Sequence, residues 1–406
     1  MAFNHRLNNI QGSPTLALND KAQQLIRQGK DLIHLGIGEP LNQCPGLAVE
    51  YGIKKLKSGQ VKYGPTGGDR DLKEQIQLYT KTHYGRTPEP DQMIVTMGAK
   101  QSLANLLFTL LNPDDEVILL APYWVSYPEM VKLAGGTPIV VQPEANLVPD
   151  LKAIKSAVTP ATKTIILNSP NNPTGVVYPP QLIAAVVDFC ETEGIYLIMD
   201  DIYHLLVFDD HSWVPGYVFT NQSLQDSKLI VVNGISKSYG MTGFRIGWTI
   251  APSNIIQAMN TIQGHTTSGA SPLLQEAARG ALTGGEKGIH SLQQHIAQNR
   301  EIIISGLKEL PGVKTVEPGG AFYCFPDFSE HNQDSSQLAE FLLEKAYLIT
   351  IPGAAFGREG HLRLSYTCTP DQVRESIRRL QWALNRDAPK TIQIGDQKLT
   401  ADWKRL

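Results

Sequence analysis

The chain is poor in the residues that staple or metallate small proteins. Its four cysteines, Cys44, Cys190, Cys324 and Cys368, lie far apart with no C-x-x-C pair. That argues against a disulfide framework or a structural zinc site and fits a reducing cytoplasm. Ten histidines include no H-E-x-x-H, and His290 and His295, the nearest pair, are five apart and splay on a helix, so they are expected at the surface. No apolar run exceeds strand length, so no segment is expected to span a bilayer. The opening "MAFNHRLNNIQGSP" has no apolar core of the kind a secretory signal needs. Charge of one sign is also missing: 36 basic and 39 acidic residues leave a net charge of −3, with no dense basic run. Neither nucleic acid nor an anionic membrane is an expected partner. Internal repeats and low-complexity segments are absent too.

What remains suits a well-buried enzyme. At 406 residues, two domains are the default, and 42% hydrophobic against 18% charged residues is enough to fill both cores. Seven β-rich runs punctuate the middle: "MIVTM" (93–97), "EVILLA" (116–121), "TPIVVQ" (137–142), "KTIILN" (163–168), "IYLIMD" (195–200), "KLIVVN" (228–233) and "IGWTIA" (246–251). Helical patterns separate several of them, as in "KQSLANLLFTLL", where Leu103, Leu106, Leu107 and Leu110 share a face. Continuous apolar strands alternating with helices predict a mostly parallel sheet covered on both sides, a three-layer α/β/α domain. The periodicity leaves strand order open. From about residue 286 a long charged helix, then "AFYCFPDF", "AYLITIPG" and "HLRLSY", predict a smaller α+β domain. The expected organisation is an N-terminal arm and part of the small domain over 1–45, a large domain over 46–285, a small domain over 286–390 and a polar tail over 391–406.

In open α/β sheets, ligands sit beyond the carboxyl ends of strands, so the residues just after each strand matter most. "GAKQSL" comes after the first: a glycine and a helix start, Gly98–Lys100, whose free N–H groups and dipole suit a phosphate. "PYWVSYPEM" comes after the second and offers Trp124 for stacking on a flat ring, or for the core. "SPNNPTG" is turn chemistry that also places the amide of Asn172. "DIYH" succeeds a strand ending in Asp200, a carboxylate in need of a cationic partner, with Tyr203 three residues on. "GISKSYGMTGFRIGW" carries Lys237 and Arg245 among hydroxyls and glycines, with no acid beside the lysine in sequence. A ligand matching the whole set has a phosphate, an aromatic ring, a polar ring substituent, a basic ring nitrogen and an aldehyde. That ligand is pyridoxal 5'-phosphate.

"SKSYGMTGFRIGW", "NSPNNPTG", "DDIY", "PYWVSYPEM", "GAKQSL", "KYGPTGG" and "RLSY" together resemble the signature segments of class I, fold-type-I pyridoxal-phosphate-dependent aminotransferases, most of all the prokaryotic aspartate aminotransferases, from about residue 6 to 385. The resemblance implies that Lys237 forms a Schiff base with the cofactor and moves the substrate α-proton. It implies that Asp200 pairs with the protonated pyridine nitrogen, and that Tyr203 and Asn172 hydrogen-bond the phenolic oxygen. Gly98, Ala99, Lys100, Ser236 and Arg245 would hold the phosphate, and Trp124 would stack on the ring. Tyr63 would reach the phosphate of a neighbouring subunit, which implies a homodimer with shared sites. Arg363 would grip the substrate α-carboxylate in a two-pronged fork, with a backbone contact from Gly38. Trp124 and Asn172 would also border the substrate.

The resemblance points to amino transfer between an L-amino acid, aspartate or glutamate, and a 2-oxo acid. Lys100, Ser13 and Thr15 would then meet the distal carboxylate; otherwise Lys100 is a solvated helix-start lysine and Ser13 an ordinary helix cap. Three segments depart from the family pattern: "LNQCP" replaces Asp-Phe-Asp-Thr-Pro, Asp201 and His204 stand where Glu is usual, and Gly234 stands where some members place a phosphate-binding Ser. These departures leave open an aromatic or other non-acidic donor. A lyase on the same scaffold is a further alternative, and a cofactor-binding regulator would need a DNA-binding appendage for which the chain has no room.

Overall fold

A computed structural model describes residues 10, 12, 14–208 and 211–402, with backbone alone for 14–19. A two-residue strand, β1 (Ile33–His34), comes first. Seven strands succeed it where the apolar runs place them: β2 (Met93–Thr96), β3 (Glu116–Leu120), β4 (Thr137–Val141), β5 (Thr162–Asn168), β6 (Tyr196–Asp200), β7 (Leu229–Gly234) and β8 (Gly247–Ile250). They form one sheet in the order β2-β8-β7-β6-β5-β3-β4. Strands β4, β3, β5, β6 and β7 run parallel, and β8 lies antiparallel between β7 and β2.

Alternation along each strand explains why these runs are apolar throughout. Ile118, Leu120, Ile165, Leu167, Leu197 and Met199 pack on one face against Ile183, Val186 and Val187 of the helix Pro180–Glu193. Val117, Leu119, Ile166, Ile198 and Ile230 pack on the other against Leu103, Leu106, Leu107 and Leu110, the predicted face of the helix Ala99–Leu110. Both pleats are buried, so the runs are mostly apolar, and the polar residues within them, such as Thr164, Asn168, Asp200 and Thr249, are buried as well. The edge strand β4 is the exception and leaves Thr137 and Val140 exposed.

The region after the sheet builds a second hydrophobic cluster. The long helix Glu286–Lys308 and the helices Ser335–Ala346 and Pro370–Leu384 pack around β9 (Tyr323–Cys324), β10 (Leu348–Ile349), β11 (Ile351–Pro352) and β12 (Leu362–Ser365). Strand β12 pairs antiparallel with both β11 and β9. Strand β1, from the far end of the chain, pairs parallel with β10, and the Ser365 N–H donates to the Leu35 carbonyl at 2.6 Å. Buried Arg379 fixes the same segment by donating to the Asp31 carbonyl at 2.6 Å and its carboxylate at 2.9 Å.

Two expectations are corrected. Residues 391–400 are not a featureless tail: β13 (Thr391–Ile394) and β14 (Gln397–Thr400) form an antiparallel hairpin. "TIQI" alternates, so Ile392 and Ile394 both reach the second cluster, and Gly395-Asp396 is a two-residue hairpin turn with Gly395 at φ +53°. His295 is half-buried, its Nε2 3.2 Å from the Thr367 and Cys368 carbonyls, whereas His290 is exposed as expected.

Close helix packing carries a testable consequence. Gly280, in the helix Pro272–Gly284, lies against the helix Gly46–Lys57 so tightly that a Cβ would meet the Leu47 carbonyl oxygen at 2.3 Å and Ala48 Cα at 3.0 Å. Alanine favours a helix over glycine by ~1 kcal/mol, but a clash with backbone cannot relax by a rotamer change. Gly280→Ala is therefore expected to lower the melting temperature. Gly288→Ala, where a Cβ meets nothing within 4 Å, should leave it unchanged or raise it. Equal responses by calorimetry would contradict the packing described.

Candidate active site

The carboxyl ends of the strands open onto a cavity of about 370 Å³. The turn after β2 brings Ala99 and Lys100 to it, and the segment after β3 brings Trp124. From β5 comes Asn172, from β6 Asp200 and Tyr203, from β7 Ser236 and Lys237, with Arg245 before β8. Gly38 lies just after β1, and Arg363 comes from β12. Residues more than 300 positions apart thus face one volume.

Asp200 ends β6 and is buried. Among the described residues it has no salt bridge; instead the Tyr127 hydroxyl donates to Oδ2 at 2.6 Å, and the Ile202 N–H reaches Oδ1 at 3.4 Å. Burial pushes its pKa up to about 6, with Tyr127, Ile202 and the Lys237 charge pulling against it. Asn168 is its register partner in β5, and its amide donates to the Asp200 carbonyl at 2.7 Å while accepting from the Asn172 N–H at 2.8 Å.

Lys237 sits after β7 in a tight turn and donates to the Gly38 carbonyl. Burial, then the Arg363 charge, lower its pKa to about 8; Glu39 and Asp200 oppose them. A lysine near that value holds and releases a proton at neutral pH, as a general base must. Arg363 is buried, donating to the Gly36 carbonyl at 2.8 Å and to Asn172 Oδ1 at 3.1 Å, while its Nε has no partner among the described residues. Because Arg363 takes the Asn172 oxygen, the NH2 of that amide is what can serve a ligand. The Tyr203 hydroxyl lies 3.0 Å from that of Tyr323.

At the far wall, Gly98 has φ +83°, and a Cβ there would come within 2.7 Å of the Arg245 guanidinium, so only glycine lets that side chain lie over the turn. The helix from Ala99 has no side-chain N-cap, which leaves its dipole end to a ligand. The Lys100 amine sits 4.8 Å from the centre of the Trp124 ring, and desolvation, then Arg245, lower its pKa. Gly234 leaves no room for a serine in this backbone, since a Cβ would lie 2.8 Å from the Ile246 carbonyl oxygen.

Some expected residues are placed elsewhere. Tyr63 is 95% exposed and lines a separate groove with Lys55, Asp69 and Arg279. Ser13 lies outside the described residues, as does the side chain of Thr15, whose backbone is in the helix Pro14–Arg27. Asp201 and His204, two of the departures, do not line the cavity. Burial drives Asp201 toward the neutral acid and lowers His204 to about 3, and His204 bonds the Tyr79 hydroxyl at 2.8 Å. Sequence reasoning missed Tyr127, Asn168 and Tyr323. Tyr127 had a signal, three residues after Trp124 at the start of the next helix, and Asn168 had another, ending its strand level with Asp200.

Comparison with known proteins decides what this arrangement belongs to. The family model described as "Aminotransferase class I and II" matches residues 30–380. The chain belongs to that family. The aminotransferase is 38% identical over 389 residues to the aspartate/prephenate aminotransferase of Thermus thermophilus, covering 95% of this chain and 99% of the relative. It is 36% identical to the aspartate aminotransferase of Geobacillus stearothermophilus, covering 94% and 98%. A solved structure of the Thermus thermophilus aspartate aminotransferase with maleate matches at TM-score 0.88 and 37% identity, over 94% of this chain and 99% of that one. Among the described residues of the aminotransferase, no cluster of three or more His, Cys, Asp or Glu could hold a metal ion, and no helix is long and apolar enough to cross a membrane.

The Asp200 pKa predicts how the ligand-free aminotransferase responds to pH. A carboxyl raised from near 3.8 unfolded to about 6 folded favours the fold at low pH, and that contribution is lost as pH rises through 6. Asp200→Asn removes the titration. Its stability relative to the parent apoprotein should therefore climb between pH 4 and 7, by up to ~3 kcal/mol. A difference in denaturant midpoint that stays flat over that range would refute the buried, unpaired carboxylate.

Proposed function

We propose that this aminotransferase uses pyridoxal 5'-phosphate, carried on Lys237, to move an amino group between aspartate or glutamate and the 2-oxo acids oxaloacetate and 2-oxoglutarate. The observation that carries the reading is the meeting of three groups at one cavity: the Lys237 amine, an Asp200 carboxylate without a cation and a buried Arg363 whose Nε is unpartnered, both among the described residues. The donor set fits the cofactor, which when bound supplies an electron sink for the charge left on the substrate α-carbon. Asp200 pairs with the protonated ring nitrogen and so acquires the cation it lacks. The Tyr203 hydroxyl and the Asn172 amide hold the phenolic oxygen. The Gly98–Lys100 helix start, Ser236 and Arg245 hold the phosphate, and Trp124 covers the ring. Tyr63, exposed in one copy, serves the phosphate of a second, which makes the active unit a homodimer. Lys237 would take the proton from the substrate α-carbon and hold it on its amine.

Arg363 grips the α-carboxylate, with Gly38 alongside, and Lys100, Ser13 and Thr15 meet the distal one. Prephenate, in the name of the Thermus thermophilus relative, also carries a second carboxylate, so it belongs in any acceptor panel. Half-reactions of the purified holoenzyme with L-amino acids, monitored through the absorbance change of the cofactor, test the donor class directly.

Lys237→Ala is expected to fold and to retain the cofactor non-covalently, yet to lose turnover by several orders of magnitude, because Lys237 is the base assigned to the α-proton. Near-parental turnover in steady-state assays would sink the assignment. Lys100→Ser should weaken kcat/KM for aspartate by ~1–3 kcal/mol, the value of one charge-assisted contact, and spare phenylalanine. An equal loss for both donors would remove Lys100 from the specificity site and favour a non-acidic substrate.

A further inference from the structure

Tyr323 has no role in the proposed function, yet three residues that do converge on it. In β9 it pairs with Ser365 of β12, which sets its ring beneath the Arg363 guanidinium, 4.6 Å from carbon to ring centre. Its hydroxyl lies 3.0 Å from that of Tyr203, and a Cβ at Gly38 would stand 3.0 Å from the same oxygen. The side chain is 1% exposed and still borders the cavity.

Two buried phenols share one hydrogen bond, and each has a single proton to give. Were Tyr203 the donor, its proton would be committed to Tyr323 and nothing would remain for a ligand. With Tyr323 as donor, the Tyr203 proton is released toward the cavity. The surrounding charge favours the second arrangement. A cation over the face of a phenol makes it the more acidic member of a pair, and the more acidic hydroxyl is the better donor. Burial raises both phenols, and the Arg363 charge is the first force opposing the rise in Tyr323.

We infer that Tyr323 is a positioning residue: it donates to Tyr203 and so aims the one Tyr203 proton at the phenolic oxygen of the cofactor. This inference rests on the proposed function. A hydroxyl that accepts one hydrogen bond donates a stronger one, so Tyr323 reinforces Tyr203. Donation to the phenolic oxygen withdraws negative charge from beside the Lys237 nitrogen, which then gives up its proton at lower pH.

The test is the pH titration of the visible absorbance of the holoenzyme, in the parent and in Tyr323→Phe, Tyr203→Phe and the double variant. Tyr323→Phe keeps the ring under Arg363 and removes only the hydroxyl. Its apparent pKa is expected to rise by about half a unit, less than the rise in Tyr203→Phe. The double variant should match Tyr203→Phe alone, because Tyr323 acts only through its partner. An unchanged pKa in Tyr323→Phe, or shifts that simply add in the double variant, would overturn the inference while leaving the function intact. A parent protein that gains no titrating band with pyridoxal 5'-phosphate would remove both.

Discussion

The site is organised around the burial of Asp200. A carboxylate at the end of a fully covered strand is costly unless something satisfies it, and each neighbouring element supplies a part. The helix Ser126–Ala134 sends the Tyr127 hydroxyl to the carboxylate, the backbone adds the Ile202 N–H, and Asn168 of β5 holds the Asp200 main-chain carbonyl in register. None of these is a cation. The acid is therefore oriented but not neutralised, the state in which a buried charge binds a complementary ligand most strongly. Lys237 has the opposite arrangement, an amine made easier to deprotonate by burial and by Arg363. The two residues titrate toward each other across neutral pH.

Positive charge is otherwise in excess around the cavity. Lys100, Lys237, Arg245 and Arg363 line it, against Asp200 as the buried acid. Crowded cations lower one another's proton affinity, as Arg245 does to Lys100 and Arg363 to Lys237. Anions relieve that crowding. The geometry divides them between two walls, one with a helix start and one with a buried guanidinium, the first uncapped and the second unpartnered at Nε among the described residues. A ligand pair carrying a phosphate on one side and carboxylates on the other satisfies both.

The sheet was legible because its strands are buried on both faces and so read as unbroken apolar runs. Lys237, Asp200 and Asn172 were legible because sheet topology makes the residue after a strand end a site residue. Strand order was not, since every central strand looks alike to its neighbours, and the antiparallel insertion of β8 has no local mark. Tyr127 and Tyr323 escaped notice because a buried tyrosine in sequence is indistinguishable from a core aromatic until its hydroxyl partner is known. The 391–400 hairpin escaped because only its two isoleucines are buried, too few to outweigh its polar residues.

The pairing of β1 with β10 joins residue 33 to residue 348. During synthesis the last strand of the large sheet, β8, is complete about a hundred residues before β10 exists. At roughly 5–20 residues per second that gap is on the order of 5–20 s. Throughout it, Leu35 and Gly36 lack their partners, because Ser365 and Arg363 have not been made. The deep half of the cavity, with Asp200, Tyr127 and Lys237, thus forms as an open shelf on the nascent chain. Its roof, drawn from both ends of the polypeptide, can close only once β10 and β12 have been made.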